Sequence, residues 1–376
     1  MSAWPGKYII GLTGNIATGK SVVRKMLEHL GAYGIDADAL AHRVIAPGAP
    51  GYQPVIDLFG KYIVGQDGYI IRSRLANIVF NDPSALQQLE AIVHPFVTQA
   101  VDLFIRRSRH KVIVIEAIKL LEGNLYKKCD AIWVTSAPRD VQLKRLLLKR
   151  GLKEDDALQR ISAQSSQEEK IAKADQVITN RGSFEDTWLQ VYAAWLKKFP
   201  DEEEIGPGKQ VSKGKLLVQR ARPRQADEIA QFISSQSKAR RNLASSDIMA
   251  AFGEKAFLLL KMDEQICGLV GWKVENLVAC TDELYLDNQV PFLEGVQFLV
   301  EELENASKEL QCEVSLLFLP AELSRHEQLL SQLGYQKRSI QSLGVHAWEE
   351  AAHESMSPGA HMYFKQLRQD RVLRPL

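Results

Sequence analysis

Few cysteines, no long apolar run and almost no net charge: these shortages bound the 376-residue chain first. Its four cysteines, Cys129, Cys267, Cys280 and Cys312, lie far apart and show no C-x-x-C or His/Cys ligand spacing. That excludes a disulfide framework and a zinc module, and it predicts reduced thiols packed as small apolar groups. No uninterrupted apolar stretch approaches the ~20 residues that span a bilayer. The opening "MSAWPGKYII" lacks the basic and long apolar regions of a secretion signal. A formal net charge of +1 points to neither a nucleic-acid nor a membrane partner. The expectation is a soluble, cytoplasmic chain acting on small molecules, and nothing in the sequence sets its oligomeric state.

What is present is globular. Hydrophobic residues make up 45% and charged residues 25%, and the length suits two domains. "KKFPDEEEIGPGKQVSKGK" joins an acidic run to two prolines and three glycines. A segment so poor in apolar surface cannot offset its conformational entropy, so it reads as a linker over 198–215, between domains 1–197 and 216–376. Before it, the apolar runs "KYIIGLTG", "KVIVIEAI" and "CDAIWVTS" alternate with helical patterns such as "SVVRKMLEHLG" and "DVQLKRLLLKRG". That alternation predicts an α/β fold with a parallel sheet covered on both faces. After it, "GKLLVQRARP", "AFLLLKMD" and "ICGLVGWKVENLVACTDELYLD" are strand-like, followed by the long helix "FLEGVQFLVEELENASKELQ" and the strand "EVSLLFLP". Consecutive strands followed by helices predict an α+β domain.

Between the first strand and the first helix stands Gly14-Asn15-Ile16-Ala17-Thr18-Gly19-Lys20-Ser21, then Val22. This is the G-x-x-x-x-G-K-S phosphate-loop pattern in the context its mechanism needs. Glycines let main-chain N–H groups turn towards phosphate oxygens, and the helix start adds a positive dipole. Lys20 is expected on the β- and γ-phosphates and Ser21 on Mg²⁺, so ATP and Mg²⁺ are the expected ligands.

Asp36 and Asp38, in "GIDADALAHRV", come where a second parallel strand should end, on the side of the sheet that carries the phosphate loop. One reading makes one of them a general base; the other makes them turn or helix-cap residues, and spacing does not separate the two. No guanine-reading N-K-x-D is present, and the size of this half suits a small-molecule kinase.

Over about 7–195 the chain resembles the dephospho-coenzyme A kinases. The resemblance is carried by "IIGLTGNIATGKS", "GIDADALAHRVIAPG", "DGYIIRSRLANIVFNDPSALQQLEAIVHPFV", "LYKKCDAIWVTSAPRDVQLKRLLLKRG" and "ISAQSSQEEKIAKADQVITNRG", in the family's order. It implies a phosphate-loop kinase fold with a lid, and transfer of the ATP γ-phosphoryl group to the ribose 3′-hydroxyl of dephospho-CoA, the last step of CoA synthesis. Asp38 matches the aspartate that takes the hydroxyl proton. Arg145 and Arg150 match lid arginines that neutralise the transferring group; without the resemblance they would read as a solvated helix face. Asn180 falls in the loop at the adenine end. Asp36, Arg72 and His94 fall at the acceptor side, where the His94-Pro95 pair reads as structural. The runner-up is another small-molecule or nucleoside monophosphate kinase of the same fold.

The chain departs from the family in places. The usual "DVPLLFE" is "EAIKLLE" here, which leaves Glu116 as the carboxylate for an Mg²⁺-bound water and changes the acceptor wall at Ile118 and Lys119. Ile71 replaces an acidic residue before Arg72, and Asn15 and Ala17 replace glycines at variable loop positions.

The second half, about 216–370, resembles the acetyl-CoA-dependent acetyltransferase superfamily. "LLVQRARPRQADEIAQFI" matches its first strand and helix, and "LSQLGYQKRS" its late helix-turn. Active members bind pyrophosphate with Arg/Gln-x-x-Gly-x-Gly/Ala; here the stretch is Phe292-Leu-Glu-Gly295-Val-Gln297. Only the central glycine remains, and Glu294 brings a negative charge, so active acetyl transfer is disfavoured. A CoA-sensing module stays open. Tyr335 reads either as the superfamily's general acid or as a core anchor.

Overall fold

The computed structural model describes residues 4–200, 211–213, 215–237, 241–320 and 327–368. By packing they form two compact units: the described residues of 1–20 and 32–179, and those of 21–31 and 180–369.

The first unit is built on strands β1 (Tyr8–Thr13), β2 (Tyr33–Asp36), β3 (Val112–Glu116), β4 (Ala131–Ser136) and β5 (Gln176–Thr179). All pair in parallel, in the order β2-β3-β1-β4-β5. The Ile/Val runs give strands buried on both faces, as a sheet covered from both sides requires. β1 is central: the chain passes to one side for β2 and β3 and to the other for β4 and β5. This reversal opens a crevice at the carboxyl ends of the strands, where the phosphate loop leaves β1. Helix α1 (Lys20–His29) begins at the loop and is followed in chain order by α2 (Ala37–Arg43), α3 (Tyr52–Phe59), α4 (Arg72–Asn81) and α5 (Pro83–Arg107). The lid region contains α6 (Arg139–Arg150), α7 (Glu154–Ser162) and α8 (Gln167–Ala172). Ile16 of the phosphate loop packs with Leu146 of α6 and Ala157 of α7 in one apolar cluster.

The second unit takes in α1 beyond Lys20 and α9 (Phe184–Lys198). His29 Nε2 lies 2.8 Å from the Phe252 carbonyl oxygen, with the two rings edge to face. Burial holds the His29 imidazole neutral, with its pKa lowered to about 3. Phe184 packs into the cluster around Phe252 and Phe257.

The strands of this unit are β6 (Val211–Lys213), β7 (Leu216–Arg220), β8 (Ala256–Met262), β9 (Gln265–Glu275), β10 (Val278–Leu286), β11 (Val314–Pro320), β12 (Gln336–Lys337) and β13 (Ala360–Gln366). They form one sheet, in the order β12-β13-β11-β10-β9-β8-β7-β6. Only β10 and β11 pair in parallel, from Val278–Val314 to Thr281–Leu317; the other pairs are antiparallel. Asn276 and Leu277 turn the β9–β10 hairpin with φ of 50° and 62°, as a two-residue turn between right-twisted strands demands. The helices are α10 (Ala226–Gln236), α11 (Ser245–Ala251), α12 (Phe292–Glu309), α13 (Glu327–Gln332) and α14 (His346–Ser355). Residues of α12 fill the core on one face of the sheet, and Trp348 of α14 anchors a cluster on the other.

The expected α/β and α+β halves are both present. Of the expected linker over 198–215, Lys198 ends α9, and Val211–Lys213 forms β6, an edge strand that pairs with Leu216–Val218 from Val211–Val218 to Lys213–Leu216. Residues 201–210 of that stretch lie outside the described residues. Among the described residues, no helix is long and apolar enough to cross a membrane.

Candidate active site

The phosphate loop starts where β1 ends. Gly14 has φ of 146°, and a Cβ there would lie 2.5 Å from Thr135 Oγ1, so the first loop glycine is dictated by close approach to β4. Gly19 adopts φ of 94°. Ala17 is left-handed as well, at 59°, a strained conformation for a residue with a Cβ. Thr18 is fully buried; its hydroxyl donates to the Asn15 carbonyl at 2.8 Å and meets the Thr135 hydroxyl at 2.8 Å. Lys20 is folded back, its Nζ donating to the Asn15 carbonyl at 3.2 Å. Arg145 of α6, half-buried, donates from Nη1 to the Ala17 carbonyl at 3.0 Å. The side chain of Arg150 lies outside the described residues. Val22 is half-buried, and Ser21, in the first turn of α1, is exposed.

The two aspartates have different tasks. β2 ends at Asp36, whose carboxylate caps α2 by accepting from the Ala39 N–H at 2.8 Å. Asp38 lies in the first turn of α2, and its Oδ2 accepts from the Ile118 N–H at 3.0 Å. Burial raises the Asp38 pKa to about 6, the Ile118 hydrogen bond opposing it; the charges of Asp36 and Glu116 raise it further and Lys20 lowers it. A carboxyl group tuned towards neutrality, with a phosphate-loop lysine among the charges acting on it, can take up a proton near neutral pH. Glu116, at the end of β3, is buried and paired in register with Asp36.

Other expected residues lie elsewhere on the fold. Arg72 opens α4 and is exposed, and His94 is exposed on α5 next to Pro95 within that helix. Asn180, buried in the second unit, accepts at Oδ1 from the Thr187 hydroxyl at 3.4 Å.

Three residues without a chemical signature in the sequence complete the site. Gln164 Oε1 accepts from the Ile16 N–H at 2.6 Å, and Gln167 Oε1 from the Asn15 N–H at 3.0 Å. Gln167 also donates to the Thr135 carbonyl at 3.0 Å. Lys170, on the same helix, is buried and donates to the Ile118 carbonyl at 3.0 Å, an oxygen that also accepts from the Thr13 hydroxyl. A stretch of Gln, Ser and Glu gives no sign of burial; only the lysine three residues after Gln167, on one helical face, hints at a shared direction.

In the second unit, the glycine expected at a pyrophosphate has another use. A Cβ on Gly295 would fall 2.7 Å from Leu286 Cδ1, so the missing side chain lets α12 pack on β10. Gln297 donates to Glu301 on its own helix at 2.7 Å. Tyr335 is 2% exposed and its hydroxyl bonds Ser315 at 2.9 Å, the geometry of a core anchor. Burial, with Glu304 adding to it, drives its pKa above the ordinary phenol range.

The sequence profile of the dephospho-CoA kinase family matches residues 8–186. The dephospho-CoA kinase of Geobacter sulfurreducens is 40% identical over 195 residues, 51% of this chain and 99% of that one. That of Carboxydothermus hydrogenoformans is 45% identical over 186 residues, 49% and 90% of the two chains. A solved GNAT-family acetyltransferase of Staphylococcus aureus is similar at 14% identity and a TM-score of 0.34, covering 41% of this chain and 99% of its own.

Proposed function

The chain belongs to the dephospho-CoA kinase family, and from that membership we propose that it transfers the γ-phosphoryl group of ATP to the ribose 3′-hydroxyl of dephospho-CoA. The observation that carries the reading is Asp38: a carboxylate held by the Ile118 N–H, tuned to about 6, with Lys20 among the charges acting on it. Asp38 takes the proton of the 3′-hydroxyl as its oxygen forms the new P–O bond, and the bond to the ADP leaving oxygen breaks. Lys20 leaves the Asn15 carbonyl for phosphate oxygens, and Arg145 offers a guanidinium to the charge that spreads over the transferring group. Ser21 and Glu116 carry hard oxygen donors of the type Mg²⁺ takes and would hold the ion. Among the described residues, no group of three or more acidic, His or Cys side chains competes as a metal centre. When bound, the ion supplies charge neutralisation on the phosphates.

The test is phosphorylation by the full chain with ATP-Mg²⁺, offered dephospho-CoA and nucleoside monophosphates in parallel. Turnover confined to dephospho-CoA supports the reading; preference for a nucleoside monophosphate moves the chain to the other kinase class. Lys20→Ala abolishes turnover, and Asp38→Asn lowers kcat by about 10²–10⁴ with little change in ATP affinity. Loss in Asp36→Asn with Asp38→Asn intact would reverse the assignment of the base.

For the second unit we propose a module that does not transfer acetyl groups. Gly295 serves packing, Gln297 is engaged within its helix, and Tyr335 is sealed in the core. Incubation of the full chain with radiolabelled acetyl-CoA and an amine mixture tests this; labelled amine would overturn it.

A further inference from the structure

Lys170 is an expensive residue where it stands. Its side chain is 3% exposed, and burial pulls its pKa down from the ordinary lysine value, with Glu122 and Asp38 opposing. Its carboxylate neighbour is not a close partner: Glu122 Oε1 lies 3.7 Å away and already accepts from the Ser165 hydroxyl at 2.7 Å. A buried ammonium without a tight ion pair is destabilising relative to an apolar side chain of the same length. The full-strength hydrogen bond it makes goes to the carbonyl of Ile118, at 3.0 Å. Ile118 is the residue whose N–H holds Asp38 Oδ2, also at 3.0 Å. Lys170 therefore holds one end of a residue whose other end holds the carboxylate.

The remaining contacts place Lys170 within a larger tie. Gln167, three residues earlier on α8, grips the Asn15 N–H of the phosphate loop and the Thr135 carbonyl. Thr13, the last residue of β1, reaches the same Ile118 carbonyl with its hydroxyl at 3.1 Å. One short helix thus binds the phosphate loop with one side chain and the segment behind Asp38 with another.

We propose that Lys170 is a positioning residue for Asp38: its ammonium fixes the Ile118 carbonyl and so keeps the Ile118 N–H on the carboxylate that accepts the substrate proton. The inference rests on the reading of Asp38 as the base. An ammonium does this better than a neutral donor because the charge-assisted bond is the stronger one and resists displacement when phosphates enter nearby. Lys170 need not touch substrate.

The test is a double-mutant cycle in the full chain, read as separate kcat and KM values with ATP-Mg²⁺ and dephospho-CoA. Lys170→Met is expected to lower kcat about tenfold or more while KM for ATP stays within about twofold. In an Asp38→Asn background, the same substitution is expected to cause no further loss, since Lys170 acts through that carboxylate. Lys170→Gln, which keeps an N–H donor in place of the charge, recovers part of kcat, and it serves as the measured variant if the methionine protein does not fold. Unchanged kcat in Lys170→Met with an impaired Asp38→Asn overturns the inference alone. Losses that multiply, or a raised acceptor KM at constant kcat, overturn it in favour of an independent or substrate-binding role. An active Asp38→Asn enzyme overturns the base reading first, and the inference with it.

Discussion

Gln164 Oε1 accepts a 2.6 Å hydrogen bond from the Ile16 N–H, so a side chain from the segment before α8 holds the main chain of the phosphate loop. Ile16 is itself buried against Leu146 and Ala157. Its N–H loses its side-chain acceptor once the glutamine is gone. Gln164→Ala is therefore expected to destabilise the ligand-free chain by about 1–2 kcal/mol. It should also raise KM for ATP, because the loop loses preorganisation. Thermal melts with and without ATP, alongside steady-state kinetics, measure both.

Ala17 carries the opposite kind of opportunity. Its φ of 59° costs a residue with a Cβ about 1–2 kcal/mol, and its half-buried methyl group packs only at the margin of the Ile16, Leu146 and Ala157 cluster. Ala17→Gly should stabilise the chain by up to about 1 kcal/mol in urea unfolding, the strain relief outweighing the added freedom of the unfolded chain. The Arg145 contact is to the main-chain carbonyl and survives the change. A loss of stability would mean that the left-handed turn is not strained.

The pH dependence follows from Asp38. Only the ionised carboxylate accepts a proton, so kcat should fall with unit slope as pH drops below about 6 and level off above it. The stability sign is the reverse. A carboxyl group whose folded pKa lies above its unfolded value contributes stability at acid pH that is lost as pH rises through about 6. Asp38→Asn should therefore raise Tm at pH 8 more than at pH 4, while activity is lost. Ile118→Pro, which removes the N–H from the carboxylate, should move the acid limb of kcat to higher pH. A limb that stays in place would disconnect Ile118 from the base.

Gly295 separates two uses of a glycine. A methyl group there meets Leu286 Cδ1 at 2.7 Å, so Gly295→Ala should destabilise the second unit by about 1–3 kcal/mol through overpacking. Phosphorylation of dephospho-CoA at 25 °C should be unchanged. Calorimetric unfolding and the kinase assay, run on the same preparation, decide between a packing glycine and a ligand glycine.

Much of this protein was settled by local sequence. The loop from Gly14 to Ser21 declares itself because main-chain geometry at Gly14 and Gly19 admits few other residues. The Ile/Val runs of β1, β3 and β4 declare a covered parallel sheet because strands buried on both faces cannot alternate with polar residues. Asp36 and Asp38 mark the limit. Their i, i+2 spacing suggests one strand face, yet the strand stops at Asp36 and a helix begins at Ala37, so the two carboxylates part. Which one caps and which one stands by the phosphate loop was decided by Ile118, eighty residues away, through a main-chain N–H that no side-chain pattern records. Gln164, Gln167 and Lys170 escaped the sequence for the same reason. Polar residues on and just before a short helix read as a solvated face; the burial of Lys170 and the half-burial of the two glutamines arise only when their hydrogen-bonding groups meet main-chain atoms far away in sequence. Residue type dictates what a group can do; the tertiary structure decides which partner it meets and how much water is left beside it.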